Sequence, residues 1–197
     1  TIQQAIQAAG EGDEIVVAPG NYLGTGDSII DTQGKHLTIR SQDGAENTLL
    51  NGFTSRRIVV ATHGESNQLK IQGFTLTQGS HPQFGGGVYC QYSSPYLVDC
   101  ILESNWSGFD GAAVYCKNAD ITLERCVVQD NVASSNGAGV RCEESNPRFI
   151  NTLFLNNASG NDAGAIEVDE ISAPIFVSCQ FAENRTANGF SGGAIRS

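Results

Sequence analysis

The stretch Gly111-Ala112-Ala113-Val114 is one copy of a motif that recurs along the second half of this 197-residue chain. Each copy has small residues followed by one branched apolar residue, and the steps between the branched residues are 26, 26, 26 and 29 positions. A fixed period of this length predicts a solenoid, in which each repeat forms one coil and contacts only its neighbours. The branched residues are Val88, Val114, Val140, Ile166 and Ile195.

Two further columns keep nearly the same period, with steps of 26, 26 and 27 positions. We predict that the apolar columns stack in the core while strands of successive coils pair in parallel, about 4.8 Å apart. The asparagine column is predicted to be a structural ladder, because Asn tolerates left-handed turns and stacked amides can hydrogen-bond from coil to coil. The apolar column is Leu102, Val128, Phe154 and Phe181, and the polar column is Asn105, Asn131, Asn157 and Asn184.

The rest of the chain fits the same all-β architecture. Each repeat contains short strands separated by Gly or Asn turns, and no single repeat could bury its apolar face alone. Before residue 85 the repeat is looser, with strands predicted at 14–22, 37–40, 58–60 and 69–76. At the start, Ile2, Ala5, Ile6 and Ala9 share one helical face and Gly10 offers a stop, so residues 1–10 are predicted to form a capping helix. We therefore expect one domain over residues 1–197, with regular coils of about 26 residues over 85–197.

Residues 1–9 and 12–22, together with Phe181-Ala182-Glu183-Asn184 and the Gly-Gly-Ala-Ile motif at 192–195, resemble the pectin-lyase-like right-handed parallel β-helix superfamily. The later repeats are similar to those of large bacterial surface proteins and polymorphic outer-membrane adhesins. The resemblance implies a right-handed parallel β-helix and an extracellular or cell-surface location. It leaves function open, because this superfamily includes lyases, hydrolases, esterases, adhesins and structural fibres.

The net charge and the hydropathy of the chain limit the classes of partner that it can bind. The formal net charge is −10, which disfavours nucleic acid as a partner because phosphate binding needs a surplus of Lys and Arg. No run of apolar residues is long enough to cross a membrane, so no membrane insertion is expected. The chain opens on Thr1 and stops at Ser197 just after a repeat motif, which predicts a fragment of a longer chain. Its uncapped C-terminal end is expected to contact further repeats or other copies.

The six cysteines fall into two columns that also follow the repeat. Cross-coil disulfides are one interpretation, but the two columns do not lose cysteine together, since Thr152 interrupts one and Val168 the other. Free, buried thiols are the favoured interpretation. No CxxC pair or His/Cys cluster is present, so no metal site is predicted from them. The columns are Cys90, Cys116 and Cys142, and Cys100, Cys126 and Cys179.

The residues just after the branched column should point outward, because side chains alternate along a strand. They form the most varied polar surface in the sequence. If the protein is an enzyme, the catalytic candidates are Lys117, Arg141, Glu143, Glu167 and Asp169. The candidates for ligand binding are Tyr89, Tyr115 and Arg141.

Three functional interpretations follow. The first is a non-catalytic structural or adhesive module of an extracellular bacterial protein, in which the outer charges form cross-strand ion pairs. The second is a polysaccharide lyase or glycoside hydrolase that acts on an acidic polysaccharide at the outer sheet face; a lyase would need a base with Arg or Ca²⁺, and an inverting hydrolase two carboxylates. The third is a glycan-binding module that uses the tyrosines as an aromatic platform. No cofactor is expected, and Ca²⁺ is the ion that acidic turns at Asp110, Asp130 and Asp162 could hold.

Overall fold

The computed structural model describes residues 1–187 and 193–197 and shows a parallel β-solenoid with one short α-helix. Four sheets run along the solenoid, and every strand pairs in parallel with its equivalents in adjacent coils. The coil that begins at Val88 passes through Val88–Gln91, Tyr96–Val98, Ile101–Glu103 and Trp106–Ser107, one strand in each sheet. The predicted all-β solenoid fold is confirmed.

The sheets are named A to D. Sheet A contains Glu14–Val17, Thr38–Ser41, Lys70–Gln72, Tyr96–Val98, Thr122–Glu124, Arg148–Ile150 and Ile175–Val177. Sheet B contains Gly20–Tyr22, Thr48–Asn51, Thr75–Thr77, Ile101–Glu103, Val127–Gln129, Leu153–Leu155 and Gln180–Ala182. Sheet C contains Ser28–Asp31, Arg57–Ala61, Val88–Gln91, Val114–Lys117, Val140–Glu143, Ile166–Val168 and Ile195–Arg196. Sheet D contains Ser80–His81, Trp106–Ser107, Val132–Ala133, Ala158–Ser159 and Arg185–Thr186.

The two apolar columns pair in register, as their spacing predicts. On sheet C, Val88, Val114, Val140 and Ile166 are fully buried and succeed one another from coil to coil, and Ile195 extends the column. On sheet B the column ends in two stacked rings, Phe154 and Phe181, whose centroids are 4.9 Å apart. Most of the buried apolar side chains therefore form one continuous core along the solenoid, and Ala112, Ala133 and Ala138 form a second, small cluster.

Helix Ile2–Ala8 covers the first coil, as predicted, with Ile2 and Ile6 buried. Thr1 and Gln4 form a capping box at its start. The helix ends earlier than the predicted stop at Gly10, because Ala9 is already extended. Instead, Lys35 Nζ donates to the carbonyl oxygens of Ile6, Gln7 and Ala9, which satisfies the free end of the helix.

Close backbone approach explains the small residues before the branched column. A Cβ atom added at Gly86 would lie 2.2 Å from the carbonyl oxygen of Trp106, and one at Gly87 would lie 2.5 Å from that of Ala113. A side chain there would clash with backbone that cannot move aside, so the predicted tight corner is confirmed. Gly192, the corner residue of the last motif, lies outside the described residues.

The asparagine ladder lies just inside the turn between sheets B and D. Asn131 Oδ1 accepts from the backbone N and the Nδ2 of Asn105, both at 3.0 Å, and Asn131 Nδ2 donates to Asn157 Oδ1 at 2.9 Å. The ladder asparagine was predicted to adopt the left-handed backbone conformation. In the structure the residue before it does so instead, for example Asp130 with φ of 55°. The asparagine is needed for its amide, which bonds the turns of adjacent coils together.

All six cysteines are free, five of them buried and Cys179 half-exposed. In one column the thiols donate to carbonyl groups of the preceding coil, as Cys126 does to Leu97 O at 3.7 Å. Thr152, which interrupts that column, makes the equivalent bond to Leu123 O at 3.3 Å. A small side chain with one donor therefore satisfies this position, which explains why threonine replaces cysteine there.

Candidate functional site

The outer face of sheet C brings the predicted site residues into one ladder. Tyr89, Tyr115, Arg141, Glu167 and Arg196 are paired in sequence from coil to coil. Lys117 and Glu143 are paired beside them, one pleat further along each strand. The structure thus places six of the candidate residues next to one another, and four of the six are charged.

Arg141 is the centre of this cluster. Its Nη1 lies 3.2 Å from Glu167 Oε1 and its Nε lies 3.5 Å from Glu143 Oε1. Glu143 is shared, because its Oε2 also accepts from Lys117 Nζ at 3.1 Å. The side chains of Arg141 and Glu167 are only 15% and 13% exposed, so this pair is largely shielded from water. The geometry is that of a cross-coil ion-pair network.

The network is not fully satisfied. Arg141 Nε and Glu167 Oε2 are buried without a hydrogen-bond partner among the described residues. Burial raises the pKa of Glu167, and the charge of Arg141 offsets only part of that shift. Burial likewise raises the pKa of Asp110, whose Oδ1 accepts from the backbone N of Asn136 at 2.9 Å. Asp110 was predicted only as a calcium ligand, although it lies close enough to Arg141 for that charge to counteract part of the upward shift of its pKa.

Asp169 does not join this network, although it was predicted as a catalytic candidate on the same face. Partial burial opposes its ionisation, but hydrogen bonds from Ser172 and from the backbone N of Glu144 lower the pKa of Asp169 overall. The backbone N of Ser172 also donates to its Oδ1 at 2.9 Å. Asp169 therefore holds the turn that follows the sheet C strand, and the structure assigns it a turn-stabilising contact.

Tyr115 is buried, which corrects the expectation that it forms an exposed platform with Tyr89. The two rings stack with centroids 5.6 Å apart, but Phe84 stacks on Tyr115 at 4.6 Å and covers it. In the later coils the position of Phe84 is taken by Asp110, Asn136 and Asp162, so the repeat carried no signal for this cover. Tyr89 is half-buried, with the Arg57 guanidinium carbon 4.2 Å from its ring centre.

In the acidic turns, the carboxylates of Asp130 and Asp162 bind other side chains of the protein. Asp130 accepts from Asn156 Nδ2, and Asp162 pairs with Arg196. Within residues 1–187 and 193–197, no three His, Cys, Asp or Glu side chains are grouped so that they could hold a metal ion. In the same part of the chain, no helix has the length and apolar character needed to span a bilayer.

The stacked parallel sheets and their registered columns place the molecule in the class of parallel β-helix proteins. A family model described as a right-handed β-helix region matches residues 56–195, and the chain belongs to this family. The match agrees with the resemblance carried by the repeat. No curated protein and no solved structure gives a significant match to the chain.

Proposed function

We propose that this chain is a non-catalytic structural module, a rigid β-helical segment of an extracellular protein. The observation that carries the proposal is the ion-pair network on sheet C, in which Arg141 contacts Glu143 and Glu167 while Lys117 contacts Glu143. The charged groups that a polysaccharide-cleaving site would use are directed at each other across coils. In this arrangement they hold adjacent coils together.

An extracellular and adhesive role is supported by the similarity of the repeat to those of bacterial surface proteins. A rod suits that role, because a solenoid whose coils contact only their neighbours keeps its shape over a long distance. The asparagine ladder adds rigidity by linking the turns of successive coils through buried amides. We therefore propose that the module serves as a rigid rod within a larger surface protein.

The first test is turnover of acidic polysaccharides. Neither pectate nor alginate should yield unsaturated products or new reducing ends, with or without Ca²⁺. Arg141→Ala should instead lower the free energy of unfolding by about 1–2 kcal/mol, because it leaves the largely buried Glu167 without a cation and Glu143 with Lys117 alone. Arg148→Ala, which removes an exposed arginine on sheet A, is the matched control and should change the stability by less than about 0.5 kcal/mol.

A polysaccharide-cleaving enzyme is the second candidate, and the raised pKa values of Asp110 and Glu167 favour it. A raised carboxyl pKa is the direction of shift that a general acid requires. Product formation that disappears in Glu167→Gln but persists in Arg148→Ala would replace the structural proposal with this one. Binding of the same polysaccharides without product would favour the glycan-binding interpretation.

We also propose that the C-terminal end of the described solenoid takes a partner, either a further coil or another copy of the chain. Ile175, Phe176 and Val177 form the last strand of sheet A, and they are 45%, 36% and 44% exposed although the equivalent Phe149 is fully buried. An apolar strand with a free backbone edge is a template for pairing. At the opposite end, helix Ile2–Ala8 covers the core.

For the chain of 197 residues, sedimentation velocity should show concentration-dependent association. A polar capping helix appended after Ser197 should abolish it, whereas a flexible Gly-Ser tail of equal length should not. A monomer at every concentration, with neither extension attached, would rule out another copy of the chain as the partner.

A further inference from the structure

A polar cleft of about 290 Å³ lies at the corner between sheets C and D, away from the Arg141 network. It forms where the sheet C strand Arg57–Ala61 begins next to the first sheet D strand, Ser80–His81. The backbone N of Ser80 donates to the carbonyl oxygen of Arg56 at 2.8 Å, which fixes the distance between the two sides. The cleft is lined by Asp27, Ser55, Arg56, Arg57, Ser80, His81 and Pro82.

Arg57 is held in one orientation on this cleft. Its Nε and Nη2 donate to the carbonyl oxygen of Phe84 at 3.2 and 2.9 Å, and its guanidinium lies over the ring of Tyr89. Its Nη1 has no hydrogen-bond partner in the part of the chain that the structure describes. Two N–H donors of a preorganised guanidinium are therefore left for a ligand.

Arg56 adds a second cation with unused donors. Its Nη1 donates to the carbonyl oxygen of Gly26 at 2.9 Å, while its Nε is buried without a partner. No carboxylate of the described residues lies within the 4.0 Å ion-pair distance of either arginine, although the chain carries a net charge of −10. Two neighbouring guanidinium groups without a carboxylate repel each other, so their placement beside one cleft points to a missing anion.

His81 contributes a neutral donor. Its Nδ1 accepts from the backbone N of Gln83 at 3.1 Å and of Phe84 at 3.3 Å, and it lies 3.0 Å from Arg57 Nη2. A nitrogen that faces three N–H groups carries no proton, so the ring proton lies on Nε2. Burial and the charge of Arg57 lower the pKa of His81, which favours the neutral ring. His81 Nε2–H is therefore a donor on the wall of the cleft.

We propose that this cleft binds one oxyanion group, a phosphate, a sulfate or a carboxylate, through Arg56, Arg57 and His81. The N–H groups of a guanidinium fork match the spacing of two oxygens on such a group, and charge-assisted hydrogen bonds of this kind are roughly twice as strong as neutral ones. An anion would pair with the two guanidinium groups and offset the repulsion between these neighbouring cations. Asp27 on the rim is exposed and acts against the anion, so it sets an upper limit on affinity. The proposal does not depend on the structural role.

The test is isothermal titration calorimetry at neutral pH with sodium phosphate, sodium sulfate and sodium galacturonate as separate probes. We expect saturable binding of at least one probe at a single site, and the tightest of the three identifies the source of the oxyanion. Arg56→Gln should weaken it by at least about tenfold, the loss expected for a hydrogen bond to a charged group. Arg56 is preferred to Arg57 as the target, because Arg57 also holds the loop at Phe84 and Gly85.

Two further variants make the result decisive. Arg148→Gln makes the same charge change at an exposed arginine and should leave the affinity within about twofold. Asp27→Asn should strengthen binding by a few-fold, and it tests the site even if Arg56→Gln folds poorly. No saturable binding of any probe, or an equal loss in Arg56→Gln and Arg148→Gln, would overturn the proposal, as would unchanged affinity in Asp27→Asn combined with unchanged affinity in Arg56→Gln.

Discussion

Asn131→Leu is expected to lower the free energy of unfolding by about 4 kcal/mol. Asn131 is fully buried and sits in the middle of the ladder. Its Oδ1 accepts two bonds from Asn105, and its Nδ2 donates to Leu102 O and Asn157 Oδ1. Leucine has a similar volume but leaves several of these buried groups without partners, at about 1–3 kcal/mol each. Urea unfolding followed by circular dichroism measures the change.

The control for this substitution is Asn161→Ala. Asn161 is exposed and its Nδ2 makes one hydrogen bond, to Ser135 Oγ at 3.2 Å. Its loss should change the free energy of unfolding by less than about 0.5 kcal/mol. If Asn131→Leu proved no more destabilising than Asn161→Ala, the ladder could not be the element that links the turns of adjacent coils.

Phe154→Ala is expected to destabilise the fold by about 3–5 kcal/mol, the range for removing a fully buried phenylalanine. Phe154 stacks on Phe181 at 4.9 Å and meets the edge of Phe149 at 5.4 Å, so no neighbour can fill the space without leaving its own column. The thermal midpoint and the urea midpoint should both fall. Unlike the asparagine substitution, this one creates a cavity and removes no hydrogen bond.

Phe53→Ala is the control for Phe154→Ala. Phe53 is 68% exposed in a turn, so little apolar area returns to water when its ring is removed. We expect a change in the free energy of unfolding below about 0.5 kcal/mol. A loss at Phe154 as small as that at Phe53 would mean that the stacked column contributes little to stability.

The fold could be predicted from the sequence because each coil repeats the same pattern of strands, turns and buried residues. Equal residues at a constant step must lie in equivalent environments. The spacing of Val88 and Val114 therefore predicted a core column, and the spacing of Asn105 and Asn131 predicted a ladder. The capping helix was readable from the apolar face of Ile2 and Ile6. These features depend on periodicity, which the amino-acid sequence carries directly.

The details of the outer face could not be predicted in the same way, because they depend on residues that break the period. Phe84 covers Tyr115 from a loop whose later equivalents are polar. Arg56, Arg57 and His81 line one cleft in the first half of the chain. The repeat is looser there, so its spacing does not predict that these residues are neighbours. The alternation of side chains predicts the direction of Tyr115, but only the loop geometry decides its exposure.

The constant step between coils also determines how such a chain can change length. Removing residues 114–139 would bring Val140 beside Val88 and Asn157 beside Asn105, so every column would close again with equivalent residues. A deletion of one residue within a strand would instead turn its inward side chains outward. Gene duplication or recombination between copies can therefore lengthen or shorten this rod in increments of one coil, about 4.8 Å each, without redesigning the buried columns.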